Sequence, residues 1–161
     1  MRLWILRHGE AERQTHHDPD RILTDRGRED AAAAGVWLSG VAPATLAVFA
    51  SPYRRAQQTA RSALSAFPAD KALTTVDWLV PDIDPRETLR ELSALRLSAV
   101  LLVSHQPLVS ALSGLLTTGE FRAGPPLHTA SLAEFEMEMV GVGCARLLSL
   151  RHAPDYSQAS A

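Results

Sequence analysis

Ser98-Ala99-Val100-Leu101-Leu102-Val103-Ser104-His105-Gln106-Pro107 is the stretch that decides the fold. Its first six residues are the most strand-like run in the chain, as expected of a buried strand. A serine and a histidine end it at once, and Pro107 suits the first turn of a helix running to about Leu116. The same order recurs upstream. Residues 2–7 form a short apolar run ending in Arg7-His8-Gly9, and residues 45–50 form a second. Ser51-Pro52 follows that second run as an N-cap with proline in the first helical position, opening a helix to about Leu64.

Between these units the chain alternates strand and helix. A polar loop covers Glu10 to Leu23 and contains His16-His17-Asp18-Pro19-Asp20. Thr24 can cap a helix over 25–39 with Ala31, Ala34, Val36, Trp37 and Leu38 as its apolar face, and Gly40 is a fitting stop. A weaker strand is expected near 72–76 and a helix near 85–95. Residues 130–138 and 143–150 flank Val140-Gly141-Val142-Gly143 as a closing hairpin. Strands alternating with helices of this length give an α/β fold with helices on both faces of a mainly parallel sheet, a three-layer α/β/α sandwich with an antiparallel edge. Without a repeat or low-complexity linker, 1–161 reads as a single domain whose last residues, 152–161, are a frayed polar tail.

The bulk numbers exclude several classes. With 161 residues, 46% hydrophobic and 21% charged, the chain has room for one real core. A formal net charge of −2 gives no whole-protein attraction to nucleic acid or to an anionic membrane. Cys144 is the only cysteine, so there is no internal disulfide and no cysteine-built metal site. The apolar run at the N-terminus is too short for a signal peptide, and the stretch from Leu97 to Val103 is far short of the about 18 residues a span needs. These features point to a cytoplasmic protein.

In an open α/β sheet, ligands bind outside the carboxyl ends of the strands. Three strands here end in chemistry: Arg7-His8, Arg54-Arg55 and Ser104-His105. Singly, each has an ordinary explanation as a turn, a solvated charge or a strand cap. Three such ends on parallel strands meet at one edge, beside helix N-termini that favour anions. Imidazoles and guanidinium groups together suit phosphate, which arginine binds bidentately while keeping its charge. Charge chemistry alone leaves Arg54 and Arg55 equally eligible.

At these residues the chain resembles the histidine phosphatase superfamily. Leu6-Arg7-His8-Gly9-Glu10-Ala11 is similar to the family's arginine-histidine-glycine signature, and Leu23-Thr24-Asp25-Arg26-Gly27 to its leucine-threonine-x-x-glycine segment. Ser51-Pro52-Tyr53-Arg54-Arg55-Ala56-Gln57-Gln58-Thr59 resembles its serine-proline-x-x-arginine-alanine-x-x-threonine helix start, and Val103-Ser104-His105 the segment of its second histidine. The short length and Ser104-His105-Gln106-Pro107-Leu108-Val109 look most like the SixA-type phosphohistidine phosphatases. The resemblance implies a phosphoglycerate mutase-like fold, His8 as nucleophile, and Arg7, Arg55 and His105 binding phosphoryl oxygens, with Gly9 a further phosphate-binding position. It selects Arg55 over Arg54. It implies no metal and no cofactor.

Larger members of the family carry an acid after the third strand, and no position in 80–87 matches their pattern cleanly. Asp82, Asp84, Glu87 and Glu10 are the candidates for a general acid, each at least as well explained as a helix cap or surface charge, and Asp84 before Pro85 is particularly cap-like. An imidazole leaving group departs more easily than an alkoxide and tolerates weak acid help, and a chain without long insertions has little with which to close a lid. Both features favour phosphohistidine on a signalling protein of the histidine-phosphotransfer type. The alternatives are a broad small-molecule phosphomonoesterase, a phosphoglycerate mutase, and a phosphohistidine-binding module without turnover. His16-His17 with Asp18 and Asp20 match no metal-site spacing. Trp37 and Trp78 read as packing, and no basic stripe accompanies them for nucleic acid.

Overall fold

The computed structural model describes residues 1–13 and 17–158. Six strands form one sheet: β1 (Arg2–Arg7), β2 (Ala47–Ala50), β3 (Leu73–Thr75), β4 (Ala99–Ser104), β5 (Leu132–Met137) and β6 (Ala145–Arg151). Their spatial order is β3-β2-β4-β1-β5-β6. The first four in that order run parallel, β5 is antiparallel to β1, and β6 closes the hairpin against β5. Among the described residues, four α-helices cover the faces: α1 (Asp25–Ser39), α2 (Arg54–Leu64), α3 (Pro85–Ala94) and α4 (Leu108–Thr117). This is the expected sandwich, with the mainly parallel sheet and the antiparallel edge.

The sheet divides the core because strand side chains alternate. Leu3 and Ile5 of β1 join Val100 and Leu102 of β4 on the side covered by α3 and α4. Trp4 and Leu6 join Leu101 and Val103 on the side covered by α1 and α2. Burial on both faces is why β4 reads as an unbroken apolar run. On the second side the helices pack closely through small residues. Ala56, Ala60 and Ala63 of α2 are fully buried, and a Cβ added at Gly35 of α1 would lie 2.0 Å from the carbonyl oxygen of Ala63.

The helix ends follow local chemistry where the caps are local. The Thr24 hydroxyl accepts a hydrogen bond from the Gly27 amide, and Gly40 ends α1. Asp84 accepts from the Arg86 amide at 2.8 Å and opens α3, with Pro85 as its first residue. At α2 the expectation fails. The helix starts at Arg54 with Tyr53 as N-cap, because the Ser51 hydroxyl is turned instead to the Tyr53 amide and to His105. Pro107 likewise sits at the cap of α4 rather than inside its first turn. Val36 is 65% exposed, on the opposite side of α1 from the buried positions 31, 34, 35 and 38.

The chain end also departs from the polar tail, as far as it is described. Tyr156 is 4% exposed, donates its hydroxyl to Ala130 O at 2.6 Å and belongs to the core beneath α1 and α2. Its carbonyl accepts from Arg151. Among the described residues, no helix is long and apolar enough to cross a membrane.

Candidate active site

Strand register brings the chemistry together. Arg7 of β1 lies opposite Ser104 of β4, and Ala50 of β2 opposite Val103. The next residues along, His8, Ser51 and His105, therefore leave the sheet at one edge. Both α2 and α4 begin there with no side-chain cap on their free amide groups. The His8 and His105 ring centroids are 5.1 Å apart, and Tyr53 packs on His105 at 5.0 Å.

His8 is held on three sides. Its backbone amide donates to Ser104 O, and its carbonyl accepts from the Ala130 amide. Its Nδ1 lies 2.8 Å from Gly9 O, a group that can only accept, so Nδ1 carries the ring proton and Nε2 the lone pair. The Arg55 Nε–H points at that lone pair from 3.3 Å. Burial, above all, with help from Arg55, Arg7 and Arg21 and against the bond to Gly9, lowers the His8 pKa to about 4. At neutral pH the ring is uncharged.

His105 is 1% exposed, and its Nε2 lies 2.8 Å from Ser51 Oγ. That hydroxyl accepts from the Tyr53 amide and keeps both its own proton and a second lone pair with which to meet His105 Nε2. The other ring nitrogen, Nδ1, is a buried atom with no partner among the described residues. Arg7 repeats the pattern: Nη1 donates to Leu127 O at 2.8 Å, while its buried Nε is unpartnered. Leaving a buried polar atom unpaired costs about 1–3 kcal/mol, and Arg2 Nε, Trp4 Nε1 and Arg151 Nε share that state elsewhere in the fold. Burial, followed by the charges of His8 and Arg55, lowers the His105 pKa to about 2.

Gly9 departs from the phosphate-binding expectation. Its amide, the one backbone group that could donate to an oxyanion, donates instead to Thr59 Oγ1 at 3.0 Å, and its carbonyl is taken by His8. Glycine is needed there for space: a Cβ would lie 2.4 Å from Gly27 O. Arg54 is exposed, while Arg55 is 4% exposed and faces the histidines, which resolves the pair in favour of Arg55.

A cleft of about 500 Å³ opens above His8, lined by Arg7, Asp18, Arg21, Tyr53, Arg55 and Gln106, with Glu10, Pro81 and Asp82 on its walls. Of the acid candidates, Glu10 and Asp82 are therefore at the site, both exposed. Asp84 and Glu87 are not among its walls: Asp84 caps α3, and Glu87 faces Arg90 at 4.0 Å. Asp18 and Arg21 are additions that spacing along the sequence did not flag, because their partner Arg55 is remote in the chain. A larger cleft of about 850 Å³ lies at the opposite edge, near Pro43, Phe67 and Lys71. Its lysine is spent on the carbonyls of Ala44 and Leu46, and no set of catalytic groups converges there.

His16 lies outside the described residues. His17 pairs with Asp20 at 2.9 Å on the surface, and no cluster of His, Cys, Asp and Glu suited to a metal is found among the described residues.

Residues 3–79 match the histidine phosphatase superfamily (branch 1). The chain is 31% identical over 147 residues to phosphohistidine phosphatase SixA of Escherichia coli K12, covering 89% of each chain. It is 33% identical over 122 residues to a phosphohistidine phosphatase SixA homolog of Haemophilus influenzae, covering 68% of this chain and 73% of that one. Among solved structures, the protein histidine phosphatase SixA complexed with tungstate superposes with a TM-score of 0.83 at 27% identity, over 93% of this chain and 96% of that chain.

Proposed function

The chain belongs to the histidine phosphatase superfamily, and we propose that it acts there as a phosphohistidine phosphatase through a phosphoryl intermediate on His8. The observation that carries this reading is the His8 tautomer. A neutral ring, fixed by Gly9 O, keeps its Nε2 unprotonated at a cleft where that lone pair meets only the Nε–H of Arg55, at 3.3 Å.

Phosphoryl transfer demands little beyond an in-line nucleophile and stabilisation of charge on the equatorial oxygens. Arg7 Nε, His105 Nδ1 and the remaining Arg55 donors take those oxygens. His8 Nε2 forms its bond to phosphorus as the substrate nitrogen leaves with the old bonding pair and takes up a proton from solvent. Water then attacks from the vacated face, the bond to Nε2 breaks, and the water returns that proton as inorganic phosphate departs. Splitting the displacement in two leaves each step easier than direct hydrolysis.

The substrate we favour is a phosphohistidine presented by a protein of the histidine-phosphotransfer type, in the cytoplasm. The rim of the cleft carries exposed Glu10 and Asp82, and the half-exposed side chain of Asp18, which suits a side chain brought in by a partner. The same carboxylates support a second reading, a small-molecule phosphomonoesterase in which Asp82 or Glu10 protonates an alkoxide.

Phosphate release from a phosphorylated histidine-phosphotransfer domain, measured beside an aryl phosphate, separates the two. Fast release from the protein, lost in His8→Ala, with a poor rate on the ester, supports the phosphohistidine reading. Good turnover of the ester with none of the protein supports the phosphomonoesterase.

A further inference from the structure

Asp18 opens a single 3-10 turn, Asp18–Asp20, set against α2 by Arg55. Its carbonyl accepts from Arg55 Nη1 at 2.8 Å and its Oδ2 from Arg55 Nη2 at 2.9 Å. Its other carboxylate oxygen, Oδ1, accepts from Arg21 Nη1 at 3.0 Å. One carboxylate thus ties two guanidinium groups that line the same cleft as His8. Burial works to raise the Asp18 pKa, but the bonds from Arg21 and Arg55 outweigh it and hold the carboxyl below its ordinary range.

Arg21 is anchored at its base as well, with Nε donating to Glu12 O at 2.9 Å. None of the described residues accepts from its Nη2. A guanidinium has five N–H donors in a fixed fork, so two contacts at Nε and Nη1 aim the remainder without consuming them. Arg21 also lines the cleft that His8 lines, where an arginine serving only to staple its loop has no need to be. Its charge is among those that lower the His8 pKa.

We propose that Arg21 is a third arginine ligand of the transferred phosphoryl group, and that Asp18 is the positioning residue that aims it and Arg55 together. This rests on reading the His8 cleft as the phosphoryl site. The charges agree with it. Arg7, Arg21 and Arg55 carry three positive charges beside a neutral His8 and Asp18 offsets one of them, while Glu10 and Asp82 on the cleft walls are exposed to solvent, which screens them. Asp18 also holds Arg55 where its Nε meets the nucleophile, so it acts through the arginines and does not touch substrate.

The test uses the full chain and inorganic phosphate, followed by turnover of a phosphohistidine protein, with unfolding midpoints measured for every variant. Arg21→Ala is expected to weaken phosphate binding roughly 10- to 100-fold, the size of one charge-assisted contact. Arg21→Lys keeps the charge but not the fork and should recover part of that loss. Asp18→Ala removes a negative charge, so phosphate binding holds or tightens while kcat falls at least tenfold; Asp18→Asn, of the same shape, should fall less. Wild-type phosphate affinity in a folded Arg21→Ala, or an undiminished kcat in folded Asp18→Ala and Asp18→Asn, overturns the inference while the His8 reading stands. Wild type that neither binds phosphate nor depends on His8 overturns both.

Discussion

Arg55 meets two partners with three of its donors: His8 through Nε and Asp18 through both Nη atoms. Replacement by alanine removes a proposed phosphoryl ligand and the orientation of Asp18 together, and is expected to lower the rate of phosphoenzyme formation about 10²- to 10³-fold. Arg55→Lys should rescue little, because a single ammonium cannot reach partners spread around a planar fork. Rapid-quench kinetics on both variants checks this. The histidines make a separate prediction about stability. Unfolded imidazoles titrate near about 6.5, whereas His8 and His105 stay neutral in the fold down to about 4 and about 2. Below pH 6.5 the unfolded chain therefore binds more protons than the native one, and stability falls as pH falls towards 4. Going from pH 7 to pH 5 should cost about 2 kcal/mol for each histidine. Urea unfolding at the two pH values should show His8→Gln losing about 2 kcal/mol less than wild type; equal losses would contradict it. At this scale the sequence was informative about residue type but not about state. His8 and His105 could be named, yet the tautomer of each depends on Gly9 O and Ser51 Oγ, contacts visible only once the chain is folded.

At the scale of elements, α2 carries the site on one turn and the core on another. Arg55, Ala56, Thr59, Ala60 and Ala63 are buried at helical spacing, and Thr59 links the two roles. Its hydroxyl accepts from the Gly9 amide at 3.0 Å and donates to Arg55 O at 2.7 Å, fixing the loop after His8 to the helix that carries Arg55. Thr59→Val keeps the volume but orphans the Gly9 amide, so a destabilisation of about 1–3 kcal/mol is expected in denaturant unfolding, with slower phosphoenzyme formation. Gly35→Ala tests the packing beneath. A methyl 2.0 Å from Ala63 O forces α1 from α2 and should cost about 1–3 kcal/mol or more, read as a lowered unfolding midpoint. The ends of α1 and α3 were legible because Thr24 and Asp84 cap within a few residues of themselves. The start of α2 was not, because Ser51 is drawn away by His105, 54 residues on. Val36 was misplaced for a related reason: hydrophobicity at one position does not fix helical phase, and the phase is set by Gly35 and Ala34 meeting α2.

For the whole molecule, sheet order decides what the chain can do. Parallel pairing of β1, β4 and β2 puts segments near residues 8, 51 and 105 at one edge, and α/β alternation was enough to foresee that. Asp18 and Arg21 escaped because their loop joins the site through Arg55 rather than through any strand end. Tyr156 escaped because a polar terminal segment hides one aromatic side chain that the core accepts. The central claim, a phosphoryl group carried on His8, is tested most directly by mixing the protein with a histidine-phosphotransfer domain labelled in its phosphoryl group, quenching within one turnover, and mapping the label. Label on His8, acid-labile and absent from His8→Ala, is the result this structure predicts. Phosphate released at the wild-type rate by His8→Ala, with no label on the wild-type chain at any time, would contradict it.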